Sequence, residues 1–271
     1  MKLTEVNNII TLDKIIVEHT FKGTLTNNYL LSKDYTKYID ERKLWFWKAN
    51  SNLYLFVKKK GFYRLYYLIN NFDVQEDFSN LQIVLEIIYR GKNKMPLEHI
   101  KYWKKNSFKI HLTRDCYFFK AASVLPIYNQ IEGVTIEPPK NKEDILFAKK
   151  LIDENLDLYT GDRLSLQEIE NFVACGLLFC AYKNDLICGM LQADLRNNIY
   201  WLGHIVVHKD YRGMGLANLL VDNYLNEGLK LQVRQFQLWV IDENIPARNL
   251  YKKKGFAYLN KSTTSMLSVD S

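Results

Sequence analysis

The sequence predicts an α+β fold, and three observations support that class. Two β-hairpins are predicted, with polar turns at residues 58–61 and 184–185 between runs of β-branched and aromatic residues. A buried strand, a glycine-containing loop and a helix follow one another in residues 204–223. Hydrophobic residues make up 48% and charged residues 25% of the 271 residues, so we expect a packed core rather than disorder.

The first half of the chain is rich in aromatic residues and lysine, and it alternates predicted helices and strands. A helix is predicted for residues 34–48, and a second, short helix starts at Pro96, a residue favoured at the first helical position. The predicted strands are residues 53–57, 62–69, 82–89 and 108–112. No glycine phosphate loop occurs in this half.

Residues 121–140 are predicted to be a connection, because Gly133 and the pair Pro138-Pro139 interrupt regular structure. We therefore place a domain boundary near Gln130, which divides the chain into residues 1–130 and 131–271.

The second half is predicted to alternate helices with strands. One helix starts at Asn141 with apolar residues on a single face, and Gly228 is the expected C-cap of another. The predicted helices are residues 141–156, 165–174, 213–227 and 246–254, and the predicted strands are residues 177–182, 186–193, 200–207, 235–241 and 256–267.

Charge and cysteine content exclude several functional classes. The formal net charge is +7, but the lysines are spread along the chain and form no basic arm, so we expect no nucleic-acid partner. The four cysteines lack metal-binding spacing, so no metal site is expected. The first residues contain no apolar run typical of a signal peptide or a membrane span, which predicts a cytoplasmic protein without a membrane partner.

The segment from Arg212 to Ala217, RGMGLA, has the chemistry of an anion site. Free backbone N–H groups and the positive end of a helix dipole meet at a helix start, and glycines let a ligand approach the backbone. Arg212 adds a cation for phosphate oxygens. The alternative is an ordinary glycine turn between a strand and a helix.

A second motif, NIPARNLYKKKGF, begins at Asn244. Pro246 starts a short helix and Gly255 ends it. Ala247 and Tyr251 share one face of this helix, so a small residue there would let a ligand approach Tyr251.

Together the two motifs resemble the GNAT acyltransferase superfamily, whose patterns are R/Q-x-x-G-x-G/A and N-x-x-A-x-x-L-Y-x-x-x-G-F. The resemblance covers residues 136–267, with the motifs in family order. It implies a mixed, largely antiparallel central sheet between helical layers, splayed open between the strands at residues 200–207 and 235–241. It also implies acetyl-CoA, or another acyl-CoA, as cosubstrate.

The resemblance carries over to individual residues of this chain. Backbone groups of Ile205 and Val207 would pair with the pantetheine amides, and an N–H near Val206 would stabilise the oxyanion. Asn244 would cap its helix or touch the cofactor. The pyrophosphate would be held by Arg212 and by the N–H groups of Gly213, Met214, Gly215, Leu216 and Ala217.

The resemblance further implies direct attack of an amine on the thioester, with Tyr251 as the general acid for the leaving thiolate. A tyrosine packed in the core is the alternative for Tyr251. Many relatives carry a glutamate base on the central strand, where this chain has none. His204 is the candidate base, and a water chain, Asp157 or Asp162 would serve as well.

The first half resembles a degenerate GNAT unit. Residues 102–108 align with residues 250–256, which places Trp103 where the acid Tyr251 stands, and an indole cannot supply that proton. A tandem layout of this kind, in which only the second half is active, resembles that of glycine N-acyltransferase-like proteins. An unrelated α+β domain is the alternative.

These observations predict an N-acetyltransferase that acts on the primary amine of a small molecule or amino acid, as a monomer or homodimer. The alternatives are a protein or peptide N-acetyltransferase and a non-catalytic acyl-CoA-binding module.

Overall fold

The structure is a computed structural model, and it describes residues 1–78, 81–92, 94–121 and 130–268. In these ranges the strands are β1 (Thr4–Glu5), β2 (Leu25–Thr26), β3 (Leu44–Ala49), β4 (Asn52–Lys58), β5 (Tyr63–Ile69), β6 (Ile83–Tyr89), β7 (Phe108–Lys120), β8 (Val134–Glu137), β9 (Leu178–Lys183), β10 (Leu186–Arg196), β11 (Ile199–Val207), β12 (Gln235–Ile241) and β13 (Ala257–Ser268). The helices are α1 (Ile9–Glu18), α2 (Ser32–Asp40), α3 (Leu97–Lys105), α4 (Lys142–Asn155), α5 (Leu166–Ala174), α6 (Leu216–Lys230) and α7 (Ile245–Lys253), and Lys209–Tyr211 forms one 3-10 turn.

The chain divides into two compact units. Unit 1 consists of Met1–Arg114 with the segment from Lys261 onward, and unit 2 consists of Asp115–Asn260. The long strands β7 and β13 each supply residues to both units. The boundary that we placed near Gln130 from the sequence stays a prediction.

The sheet of unit 1 has helices on both of its faces. Its strand order is β1-β3-β4-β5-β6, followed by the part of β13 from Ser262 and the first part of β7. Alternate residues of β4 face opposite sides: Leu53 and Leu55 join the core under α1 and α2, whereas Tyr54 and Phe56 join the aromatic core around α3. This period of two explains why β4 is buried on both faces.

Unit 2 repeats that layering. Its sheet runs β7-β12-β11-β10-β9-β8, with β11 and β12 parallel and the hairpin strands β9 and β10 antiparallel. Ile152 of α4 and Ile169 of α5 pack on one face, and Leu220 of α6 and Tyr251 of α7 pack on the other. The predicted α+β fold with a mixed sheet is confirmed.

The structure corrects two predictions in the first half and the connection. The helix predicted for residues 34–48 ends at Asp40, and Leu44–Ala49 forms strand β3, because its tryptophans and phenylalanine fit a half-buried sheet. The connection predicted for residues 121–140 contains strand β8, which pairs with β9. Residues 122–129 of that connection lie outside the described residues.

Gly228 was wrongly predicted to be a C-cap, since α6 continues to Lys230. A Cβ atom on Gly228 would lie 2.3 Å from Cε1 of Phe236 and 2.8 Å from Cδ1 of Tyr200. The glycine therefore serves close helix-to-sheet packing rather than a turn.

In the described ranges, no helix combines the length and the apolar character needed to cross a bilayer.

Candidate functional site

The parallel strands β11 and β12 separate halfway along their length. They pair from Ile199 with Gln235 as far as Leu202 with Leu238, and no register pairs them beyond that point. Both strands nevertheless continue, β11 to Val207 and β12 to Ile241. A gap therefore opens between the two central strands of unit 2, as the resemblance implied.

A β-bulge at Gly203 accompanies this separation. Gln192 of β10 pairs with His204, but the next residue, Ala193, pairs with Leu202, so Gly203 is the extra residue. A Cβ atom there would lie 2.1 Å from Oε1 of the buried Gln192. Bulges bend a strand and increase its twist, which explains why β11 leaves β12 at this point.

The bulge also reverses which side chains of β11 face each layer. Tyr200 and Leu202 before it join the core under α6, whereas after it Ile205 joins that core and Val206 joins the core under α4 and α5. The period of two continues, shifted by one residue.

Backbone groups on one edge of β11 point into the gap. The N–H of His208 donates to the Cys188 carbonyl of the β10 edge at 2.9 Å. By the alternation of an antiparallel ladder, Val206 also directs its backbone groups to β10, and Ile205 and Val207 direct theirs to the gap. The N–H of Val206 itself therefore faces β10, and the gap-facing amides near it are those of Ile205 and Val207. The oxyanion donor near Val206 stays a prediction.

The glycine bend lies at the start of α6. Gly213 and Gly215 have φ angles of +83° and +82°, a left-handed backbone that favours glycine. Side chains cap α4, α5 and α7, namely Asn141, Ser165 and Asn244, but no side chain caps α6. Among the described residues, none hydrogen-bonds the backbone N–H groups of residues 213–217.

The space in front of the bend is open as far as the structure describes the chain. A Cβ atom on Gly213 would meet no atom within 4 Å, and one on Gly215 would meet only the methyl end of Ile131, at 3.7 Å. Five N–H groups without a described partner, at the positive end of a 15-residue helix, fit a diphosphate.

Arg212 connects this bend to the gap. Its Nε donates to the Val207 carbonyl oxygen at 3.2 Å, and its Nη2 donates to Oδ1 of Asn155 at 2.7 Å. The exposed guanidinium thus lies at the end of β11, and Arg212 directly precedes residues 213–217 in the chain.

His204 is enclosed on the α4 and α5 face of β11, with 9% of its surface exposed. Burial lowers the pKa of its imidazole below the ordinary 6.5, and the Asp162 carboxylate and the backbone of Asp162 and Gly203 oppose that shift. The ring is therefore neutral at pH 7 and able to accept a proton.

The loop that contacts His204 is held by its own hydrogen bonds. Oδ1 of Asp157 accepts from the N–H groups of Tyr159 and Thr160 and from the Thr160 hydroxyl. Arg163 donates twice to the Leu156 carbonyl. Of the two aspartates considered as bases, Asp162 lies close enough to His204 to affect its pKa, and Asp157 organises the loop.

The second motif forms α7 as predicted. Asn244 caps the helix by accepting from the Ala247 N–H at 3.2 Å, and the left-handed Gly255 (φ +86°) follows the helix end. Tyr251 is 4% exposed and belongs to the core under α6, with its ring edge-on to Phe256. Among the described residues, none hydrogen-bonds its hydroxyl.

Two residues of the site escaped the sequence reasoning. Gly203 is an isolated glycine in a strand pattern, which is a recognised sign of a bulge. Asn155, the partner of Arg212, carries no local signal, because the two residues meet only in the folded chain. Among the described residues, no group of three or more His, Cys, Asp or Glu side chains is placed to hold a metal ion.

Comparison with protein families finds a match within the second unit. The model of the acetyltransferase (GNAT) family matches residues 148–256, which contain the splayed strand, the glycine bend and α7. A streptothricin acetyltransferase from Escherichia coli is 28% identical over 119 residues, covering 41% of this chain and 67% of that protein.

Solved structures show the same fold over nearly the whole chain. A tandem GNAT protein from the clavulanic acid biosynthesis pathway has a TM-score of 0.63 at 11% identity, covering 98% of this chain and 97% of its own. A GCN5-related N-acetyltransferase from Sphaerobacter thermophilus has a TM-score of 0.61 at 11% identity, covering 90% of this chain and 88% of its own. The resemblance of this chain to tandem GNAT proteins is confirmed at the level of fold.

Proposed function

We propose that the chain transfers an acetyl group from acetyl-CoA to the primary amine of a small molecule or amino acid. The match of residues 148–256 to the acetyltransferase (GNAT) family supports an acyltransferase. The gap between β11 and β12, with an uncapped helix start beside it, is the observation that carries this proposal.

The gap and the bend suit the two parts of an acyl-CoA. The Val207 carbonyl accepts from Arg212, whereas the Val207 N–H and the gap-facing groups of Ile205 lack a neighbouring strand and must find partners. The amides of a pantetheine arm are suitable. The N–H groups of residues 213–217 and the guanidinium of Arg212 suit the diphosphate. Ala247, whose N–H is capped by Asn244, has a small side chain that leaves room for a ligand on that face of α7.

The reaction requires two proton transfers and stabilisation of the negative charge on the oxyanion. The amine nitrogen attacks the thioester carbon, its excess proton passes to a base, and the sulfur leaves and takes up a proton. We assign the base to His204, whose ring is neutral at pH 7, and the acid to Tyr251. A gap-facing amide of β11 would donate to the oxyanion.

Two features favour a small acceptor. The curated relative is named as a streptothricin acetyltransferase, which supports a small-molecule amine rather than a protein. In unit 2, the loop at residues 156–163 reaches the base and is tied down by its own hydrogen bonds, which favours a confined acceptor site over an open peptide groove.

An amine panel tests the proposal. The full chain is incubated with acetyl-CoA and primary amines, including amino acids, aminoglycoside-like polyamines and a lysine peptide, and free thiol is measured. We expect thiol release that depends on a small amine. Release with the peptide alone would favour the protein acetyltransferase, and binding of acetyl-CoA without any release would favour the non-catalytic module.

A further inference from the structure

The sheet of unit 1 contains a gap of the same kind as the one in unit 2. The parallel strands β5 and β6 pair only from Tyr63 with Ile83 to Leu65 with Leu85, although β5 continues to Ile69 and β6 to Tyr89. The gap therefore begins after Leu65 and Leu85, as the gap of unit 2 begins after Leu202 and Leu238.

In unit 1, however, a piece of the chain lies in that gap. Leu68 of β5 pairs with Leu53 of β4 on one edge and with Thr26 of β2 on the other. Strand β2 thus occupies the edge of β5 that β6 leaves free. The Thr26 hydroxyl strengthens the attachment by donating to the Tyr67 carbonyl at 2.6 Å.

Asn27, which follows β2 directly, bridges the two separated strands. Its Nδ2 donates to the Leu65 carbonyl of β5 at 3.1 Å and to the Glu86 carbonyl of β6 at 3.0 Å. Its Oδ1 accepts from the Tyr67 N–H at 2.9 Å. Asn27 is 7% exposed, so these bonds form away from water.

A carboxamide is suited to this position because it offers donors on one side and an acceptor on the other, as a peptide or pantetheine amide does. Buried strand-edge groups require such partners. In unit 2 the corresponding edge of β11 has no neighbouring strand beyond Leu202 among the described residues. The two gaps therefore differ in whether the chain fills them.

Aromatic side chains pack around Tyr67 on the α3 face of the unit 1 sheet. Trp103 is fully buried, with ring centroids 4.9 Å from Tyr67 and 4.7 Å from Phe108. The Tyr67 hydroxyl bonds Nδ1 of His99 on α3 at 2.5 Å. The position that aligns with the acid Tyr251 is thus part of a packed core.

We propose that residues 25–27 are a built-in occupant of the β5–β6 gap, in which Asn27 takes the place of a pantetheine amide. Unit 1 consequently binds no acyl-CoA, and each chain binds one molecule, in unit 2. The stoichiometry rests on the proposed function, whereas the role of Asn27 does not.

Amide hydrogen exchange tests the occupant without any ligand. In the unaltered chain we expect the Tyr67 amide to be protected, and in Asn27→Ala we expect it to exchange about tenfold faster or more, because its acceptor is gone. Asn27→Asp preserves that acceptor but loses both donors, so it should retain protection of Tyr67 while lowering stability. Asn28→Ala, one residue on, is the matched control and should leave the Tyr67 amide unchanged.

Equal protection of Tyr67 in Asn27→Ala and in the unaltered chain would overturn the bridge. If Asn27→Ala does not fold, Asn27→Asp decides: stability equal to that of the unaltered chain would show that the two donated bonds do not hold the strands.

Counting bound acetyl-CoA tests the stoichiometry. Native mass spectrometry of the full chain should give one molecule per chain, and Gly215→Asp, which places a carboxylate at the bend of unit 2, should abolish it. Two molecules, or one that survives in Gly215→Asp, would overturn the closed gap. No binding at all would overturn the proposed function, and the exchange experiment would still decide the role of Asn27.

Discussion

Tyr251 lies in an enclosed setting that suits a proton donor. Burial raises the pKa of its phenol above the ordinary 10, so the group stays protonated throughout the neutral range. Its ring is fixed by Phe256, whose centroid lies 5.9 Å away.

Tyr251→Phe removes the proton and leaves the packing. We expect kcat to fall by roughly 10²-fold or more, the usual contribution of a positioned acid, with little change in the dissociation constant of acetyl-CoA. Steady-state kinetics and calorimetry separate these quantities. Tyr258→Phe, a tyrosine of β13, is the control. An unchanged kcat in Tyr251→Phe would remove this residue from the acid role.

If His204 is the base, its protonation should produce an acid limb in the pH profile of kcat/KM. Burial lowers its pKa below the ordinary 6.5, so with a weakly basic acceptor amine the decline of kcat/KM that His204 causes should lie below pH 6.5. Asp162→Asn should move the decline to still lower pH, because the lost carboxylate favoured the protonated ring. His204→Gln should remove the limb, whereas His208→Gln should preserve it. A limb above pH 6.5 that His204→Gln removes would contradict the assignment.

The same shift affects stability in a defined direction. The unfolded chain binds the proton at His204 more readily than the folded chain does. The contribution of His204 is therefore complete above pH 6.5 and is lost as the pH falls through the folded pKa.

Among the elements, α6 depends on a glycine for its distance from the sheet. Alanine normally stabilises a helix interior by about 1 kcal/mol relative to glycine. At Gly228 the sign should reverse, because the new Cβ would overlap the rigid rings of Phe236 and Tyr200. We expect Gly228→Ala to lower the free energy of unfolding by about 1–3 kcal/mol.

Urea denaturation measures this change, with Asn218→Ala on the same helix as the control. A stability equal to or above that of the unaltered chain would mean that α6 shifts without cost, and that the contact does not set the helix position.

The elements also show how far the sequence determines the site. The hairpin at residues 53–69, strand β12 and the motif helix α7 follow local patterns and could be predicted. Gly203 was overlooked as a bulge, although a glycine within a strand gave a signal. Strand β2 and the bonds of Asn27 could not be predicted, since two residues of strand leave no periodicity and their partners lie between 38 and 59 positions away. The glycine bend can therefore be predicted from the local sequence. Whether the gap between β5 and β6 or the gap between β11 and β12 stays open depends on pairing between distant residues.

For the whole molecule, binding of acetyl-CoA should appear as stabilisation. A ligand at a concentration 100 times its dissociation constant adds about 2.7 kcal/mol to the folded state. Thermal denaturation should therefore shift upward, and amide exchange should slow at Ile205, Val207 and residues 213–217. An analogue without the diphosphate measures the contribution of the gap alone to this stabilisation. Comparison with intact acetyl-CoA then gives the contribution of the bend. Stabilisation without protection at those amides would place the ligand elsewhere.

The pairing of β13 with β6 has a consequence for biogenesis. Residues Ser262–Leu267 lie beside Val84–Tyr89 in the sheet of unit 1, yet the ribosome makes all of unit 2 between them. At roughly 5–20 residues per second, the early segment waits many seconds with one strand edge exposed. A nascent chain stalled before Ser262 should therefore engage holdase chaperones through β6, and cutting the protein at Arg114 should yield an incomplete first piece rather than an independent domain.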